Sequence, residues 1–187
     1  MRLTRTLSTL LLGTTLVLSG CTSVPVQQDY NPQHSFKEIK ALSWLPLDNP
    51  KAAEMQRFEQ QEPLTSQRIR TAIIHQLDAQ AIRLTPNGSQ GYISYHLESQ
   101  KQLIPDPMDV RIGIGHYGRF GGFMFNTPPN MVEEKTWTLI IDIHRASGEV
   151  IWRGSADSYA LQGETPQESQ RIITDLVQAI LKQFPPQ

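Results

Sequence analysis

Leu18-Ser19-Gly20-Cys21 places the only cysteine of the 187 residues directly behind a pair of small residues, at the end of an apolar run. A thiol in that position has one characteristic chemistry: the chain is cleaved ahead of it, and its sulfur and newly freed amino group are acylated. What precedes it fits. Arg2 and Arg5, an apolar stretch from Leu7 to Leu18 and then small residues form the three regions of a secretory signal. About 12 apolar residues are too few to span a bilayer core, which needs roughly 20. Leu18-Ser19-Gly20-Cys21 therefore reads as a lipobox, residues 1–20 as a lipoprotein signal peptide and Cys21 as its lipidation site. Several acyl chains on one residue, at about 0.8 kcal/mol per buried CH₂, anchor a protein lastingly. Thr22 follows the cysteine in place of the aspartate that favours inner-membrane retention, which turns the expectation to the outer membrane, facing the periplasm.

Other reactive side chains are scattered. His34, His75, His96, His116 and His144 include no H-x-H and no helical i, i+4 pair. His96 and His144 fall on the polar faces of strand-like segments, and two imidazoles are too few for a tight metal site. They are expected to be solvated strand histidines, with no metal and no cofactor. Gly113-Ile114-Gly115-His116-Tyr117-Gly118 fits G-x-G-x-x-G, but Arg119-Phe120-Gly121-Gly122 continues it as a loop where a phosphate-binding turn would open a helix, so no nucleotide is expected. No G-x-S-x-G elbow is present, and lipidation consumes the only thiol. Asp106, Asp109, Glu133 and Glu134 flank the central loop and offer two carboxylates for glycan hydrolysis, which needs them about 5 to 9.5 Å apart. Acids beside Pro and Gly are more often turn formers. An enzyme is not expected, a glycan hydrolase using these carboxylates being the alternative.

Residues 112–131 stand out differently. Gly113, Gly115, Gly118, Gly121 and Gly122 are interspersed with Tyr117, Phe120, Phe123, Met124 and Phe125, and Pro128-Pro129 stiffens the exit. A loop this long without its own structure is often functional. Two readings stay open: an exposed recognition patch, or a lid folded over the sheet, since aromatic burial serves interface and core alike.

The elements that must carry these groups show in the periodicity. Residues 21–35 carry Pro25 and Pro32 and no apolar period, and read as a lipidated tether ahead of one domain over 36–187. A strand is expected within Phe36–Leu45, stopped by Pro46, and an exposed connection over 46–64 with a turn at Asn49-Pro50. Ile69, Ala72, Ile73 and Leu77 mark a helix capped by Thr65 or Ser66. Ile93, Tyr95 and Leu97 mark a strand from Gly91 to Leu103. Trp137, Leu139, Ile141 and Ile143 mark another, turning through Arg145–Glu149 into Val150–Leu161 as a hairpin. Thr165-Pro166-Gln167-Glu168 is a capping box ahead of the stripe Ile172, Ile173, Leu176, Val177, Ile180 and Leu181. The order predicts an α+β fold: a two-layer sandwich with a mostly antiparallel or mixed sheet of about four to five strands and two amphipathic helices on one face. With the signal removed, 18 acids face the 15 bases left after Arg2 and Arg5, with no basic block, so nucleic acid is not an expected partner.

The lipobox, Asp29-Tyr30, Phe36, Leu42-Ser43-Trp44-Leu45-Pro46, Arg68 to Ile73, Gly91-Tyr92-Ile93-Ser94-Tyr95-His96, Leu139-Ile140-Ile141-Asp142, Val150-Ile151-Trp152-Arg153-Gly154 and Phe184-Pro185-Pro186, taken in this order, resemble the bacterial lipoproteins of the domain of unknown function 4136. The resemblance covers nearly all of the chain after the signal, and departs at Thr136-Trp137-Thr138, where a Gly-Thr pair is typical. It implies an envelope lipoprotein and supplies no catalytic residue. The expected role is a non-enzymatic interaction or assembly module of the envelope, anchored in the membrane, with an envelope protein as its possible partner. The alternative is a small module holding an apolar ligand, a lipid or glycan fragment, under the 112–131 loop.

Overall fold

A computed structural model describes residues 24–86, 90–106 and 130–186. In chain order the elements are β1 (Val26–Tyr30), β2 (Ala41–Trp44), α1 (Pro50–Gln61), α2 (Pro63–Ala79), β3 (Arg83–Leu84), β4 (Gly91–Pro105), β5 (Met131–Arg145), β6 (Val150–Ser158) and α3 (Pro166–Leu181). The strands form one mixed sheet in the order β1-β6-β5-β4-β2-β3. β1, β6, β5 and β4 pair antiparallel in turn, while β2 runs parallel to both β4 and β3. The α+β class and mixed sheet follow the sequence pattern; the sheet has six strands where about four to five were expected, and three helices where two were.

Alternation decides which face is buried. Ile93, Tyr95, Leu139, Ile141, Ile143, Trp152 and Ala156 share one face and join Ile69, Ile73 and Leu77 of α2 and Ile173, Val177 and Ile180 of α3 in one core. Gly154 is a packing position: a Cβ there would strike the Trp152 ring and come within 2.7 Å of Ile180 Cγ2. Phe184, beyond α3, sets its ring edge-on to Trp152 at 5.2 Å and to Phe36 at 5.9 Å, closing the core at that end. The hairpin forms as expected. Gly148 takes φ +87°, its N–H donates to the Arg145 carbonyl at 2.8 Å, and a register shift falls at Ile143/His144.

Three segments differ from the sequence reading. The expected tether contains β1, an edge strand whose four last residues are all exposed, so no apolar period announces it. The expected connection over 46–64 contains α1, which buries only Ala52 and Met55. Asn49-Pro50 is a helix start instead of a turn: Asn49 Oδ1 accepts from Lys51 N at 3.0 Å and Pro50 occupies the first turn. α2 then begins at Pro63, and Thr65 and Ser66, expected as caps, are buried inside it. The third helix starts as expected, Thr165 Oγ1 accepting from Glu168 N at 3.1 Å, although the Glu168 carboxylate accepts from Glu164 N, one residue before the cap.

Candidate functional site

β4 and β5 are each 15 residues long, longer than any neighbour. β2 meets β4 only at Ser43↔Tyr92 and Trp44↔Ile93, and β6 leaves β5 at Trp137↔Ser158. Residues 99–105 and 131–136 therefore run on as a two-stranded ribbon beyond the body, paired in unbroken register from Ser99↔Trp137 to Pro105↔Met131 and continued by Asp106 N donating to the Asn130 carbonyl at 2.8 Å. β-Branched and long side chains on both strands favour this extended pairing. Near its root the ribbon is polar: Lys101 pairs with Glu133 at 2.7 Å, and Lys135 Nζ lies 3.7 Å from the Trp137 ring centre. Toward its described end it turns apolar, with Leu103 66% exposed, Met131 48% exposed and Ile104 opposite Val132.

Beside the ribbon root, Phe58, Glu62, Thr65, Trp137, Tyr159 and Leu161 line an open cleft of roughly 330 Å³ between the α1–α2 junction and the segment after β6. Phe58 of this cleft meets the Tyr95 ring edge-on at 6.2 Å, and Tyr95 belongs to a polar network. The buried Tyr95 hydroxyl shares a 2.8 Å hydrogen bond with Ser66 Oγ and donates to Glu59 at 3.1 Å, Glu59 pairs with Arg70, and Arg70 lies 4.2 Å over Trp44. Burial, the largest influence, pushes the Tyr95 phenol well above its ordinary range, so it stays a neutral donor.

The sheet face away from the core carries a second polar cluster. Asp142, fully buried, takes the Arg153 guanidinium in a two-point grip at 2.7 and 2.8 Å, and Lys51 Nζ approaches at 3.4 Å. Burial pushes the Asp142 carboxyl up, but the hydrogen bonds and charge of Arg153, then the charge of Lys51, outweigh it and hold the carboxyl below its ordinary range. His144 is also fully buried, at 3.0 Å from the Gly148 carbonyl through Nδ1 and 2.8 Å from Ser94 Oγ through Nε2. The carbonyl requires a proton on Nδ1, so Nε2 accepts from the serine hydroxyl. Burial keeps this ring below the ordinary histidine range and neutral. All these groups are satisfied by one another, which makes the cluster a structural tie between the start of α1 and the sheet.

The expected sites distribute unevenly over this framework. Cys21, the G-x-G-x-x-G segment over 113–118, Asp109 and the loop residues Tyr117, Phe120, Phe123, Met124 and Phe125 lie outside the described residues. Glu133 and Glu134 sit on opposite faces of the ribbon, facing Leu103 and Gln102 across the strands, so this neighbouring pair cannot act together on one bond. His96 is half-buried, 3.6 Å from Glu98, whereas His144 is buried, a correction to its expected solvated place; the start of α1, unseen in the sequence, reaches that face through Lys51. Among the described residues no three His, Cys, Asp or Glu side chains come close enough to hold a metal, and no helix is long and apolar enough to cross a membrane. Sequence reasoning missed the ribbon as a separate body, although Leu103, Ile104, Met131 and Val132 broke the polar alternation there.

A crystal structure of a PDZ domain protein from Parabacteroides distasonis is similar over 88% of this chain, with a TM-score of 0.50 and 12% identity. The chain spans 36% of that structure, and the likeness concerns the fold alone. A minor lipoprotein from Acinetobacter baumannii matches 78% of this chain and 91% of its own, at a TM-score of 0.38 and 15% identity. No curated protein matches the chain. A family model matches residues 26–186, from the first residue of β1 to the end of the described chain, and by that match the chain belongs to the domain of unknown function family DUF4136.

Proposed function

We propose that this chain is a lipid-anchored lipoprotein of the outer membrane, facing the periplasm, that acts without catalysis as an interaction or assembly module of the envelope. Acylation of Cys21 rests on the lipobox and the three-part signal before it. The observation that carries the interaction role is the β4–β5 ribbon: a body with a closed core nevertheless extends two strands into solvent with Leu103 and Met131 uncovered. Exposed apolar groups on a projecting element mark a contact surface. Photocrosslinking in living cells tests it. A photoreactive residue at position 103 forms an adduct with a second envelope component, while the same residue at position 149, in the β5–β6 turn, does not. Absence of adducts along the ribbon overturns the interaction role.

The place first expected for a ligand, under the 112–131 loop, lies almost wholly outside the described residues; a ligand-holding reading has one observation behind it elsewhere, the open cleft walled by Phe58, Trp137, Tyr159 and Leu161. A lipid or glycan fragment held there remains bound in native mass spectrometry of protein taken from membranes and is lost in Tyr159→Ala. Bare protein in the parent rejects it.

A further inference from the structure

Val26 opens β1 opposite Ala156, and Ala156 pairs with Leu139. β5 runs from Met131 at the ribbon end toward Arg145, so β1 starts at the end of the sheet from which the ribbon projects. Val24 already packs against the core. Only Thr22 and Ser23 separate it from Cys21, and five residues from Val26, at no more than about 3.6 Å each, reach roughly 18 Å. From Leu139 to Met131 the ribbon advances eight residues, roughly 26 Å at about 3.3 Å per residue. One strand, β6, stands between β1 and β5, so the two lines are about 10 Å apart. A body hung on so short a link from an acylated Cys21 therefore presents the ribbon to the same membrane, and the described end of the ribbon reaches farther than the link can stretch.

The chemistry of that end matches the place. Pairs Leu103↔Glu133 and Pro105↔Met131 lie on one face and Ile104↔Val132 on the other, so at this level apolar side chains point both ways, Glu133 being the one charged group among them and paired with Lys101 at 2.7 Å. Apolar side chains on both faces, with the one carboxylate of the level neutralised by a lysine, suit the boundary between lipid headgroups and acyl chains. Behind the apolar level come Lys101, Glu134, Lys135 and Trp137, charged groups and an indole of the kind that settle at a lipid headgroup layer.

We propose that the end of the β4–β5 ribbon rests in the bilayer that holds the acyl chains of Cys21, a second lipid contact that fixes the orientation of the domain on the membrane. It rests on the lipid-anchor reading above. The test uses the full acylated protein reconstituted in vesicles of phosphatidylethanolamine and phosphatidylglycerol. The native thiol is blocked by its acyl chain, so a fluorophore can be attached through Leu103→Cys, Val132→Cys or, at the far end of the sheet, Glu149→Cys, all three positions being exposed. Lipids brominated on their acyl chains quench the fluorophore at 103 and 132 several-fold more than at 149. Quenching at 103 and 132 no stronger than at 149, in protein that floats with the vesicles and carries its fatty acid, overturns the ribbon contact while leaving the anchor intact. Protein that carries no fatty acid at Cys21 overturns the anchor and, with it, this proposal.

Discussion

Removing the guanidinium from Arg153 tests whether charge, rather than shape, ties the outer sheet face together. Arg153→Met keeps most of the side-chain length but leaves the buried Asp142 carboxylate with Lys51 alone, at 3.4 Å. Breaking a buried pair from one side costs about 3–5 kcal/mol. The carboxyl has one escape, which is to take up a proton. For a carboxyl with an ordinary pKa of about 3.9 this costs about 1.36 kcal/mol per pH unit, or about 4 kcal/mol at pH 7 and about 1.5 kcal/mol at pH 5. Those values cap the penalty, and Lys51, together with water reaching the half-open Arg153 position, lowers it further. The expected loss is about 2–3 kcal/mol at pH 7, shrinking to about 1 kcal/mol at pH 5. Adding Asp142→Asn to Arg153→Met removes the stranded charge and recovers a large part of the loss at pH 7. Urea unfolding of the parent, the two single variants and the double variant at both pH values measures all of this. An unchanged midpoint for Arg153→Met at pH 7, or a penalty equal at both pH values, refutes the reasoning; the second result means that Arg153 serves by packing.

Burial holds His144 below the ordinary histidine range, so the unfolded chain binds its proton first, near pH 6.5, and stability is lost as pH falls from there toward the folded value. His144→Gln flattens the dependence of melting temperature on pH between about 7 and 5, and equal slopes in parent and variant contradict this. Trp152→Ala empties the centre of the core beneath Phe184 and Ile180 and costs about 3–5 kcal/mol in denaturant unfolding; a loss under about 1 kcal/mol contradicts the packing described. Cys21→Ser abolishes fatty-acid labelling in cells, and a labelled serine variant removes the lipobox reading.

What the sequence disclosed and what it hid have physical causes. Ile93, Tyr95, Leu139, Ile141 and the stripe along α3 each pack into the core while most of their neighbours on the opposite face are polar, so a period can be read directly. α1 buries two side chains and β1 lies at a sheet edge with its side chains in water, so neither has a period to show. Both are held by partners remote in sequence, β1 by β6 and α1 by β4, α2 and the Lys51–Asp142 contact. His144 was misplaced for a related reason: alternation assigns it to the polar face, and only the crossing of the Asn49–Lys51 segment near Gly148 and Asp142 shows that part of this face is covered.

The hidden strand changes the functional argument more than the hidden helix does. Had residues 21–35 been a free tether, the domain could take any orientation a few nanometres from its membrane, and no surface would be tied to the lipid. With β1 paired to β6 from Val26 and Val24 set against the core, Cys21, the proposed anchor, is joined by a short link to the end of the sheet from which the ribbon projects. The anchor and the exposed apolar ribbon then cease to be independent features. The covalent link limits the distance between them, so on the proposed acylation of Cys21 a surface that would be an aggregation hazard on a freely diffusing protein is held beside the membrane that takes the acyl chains.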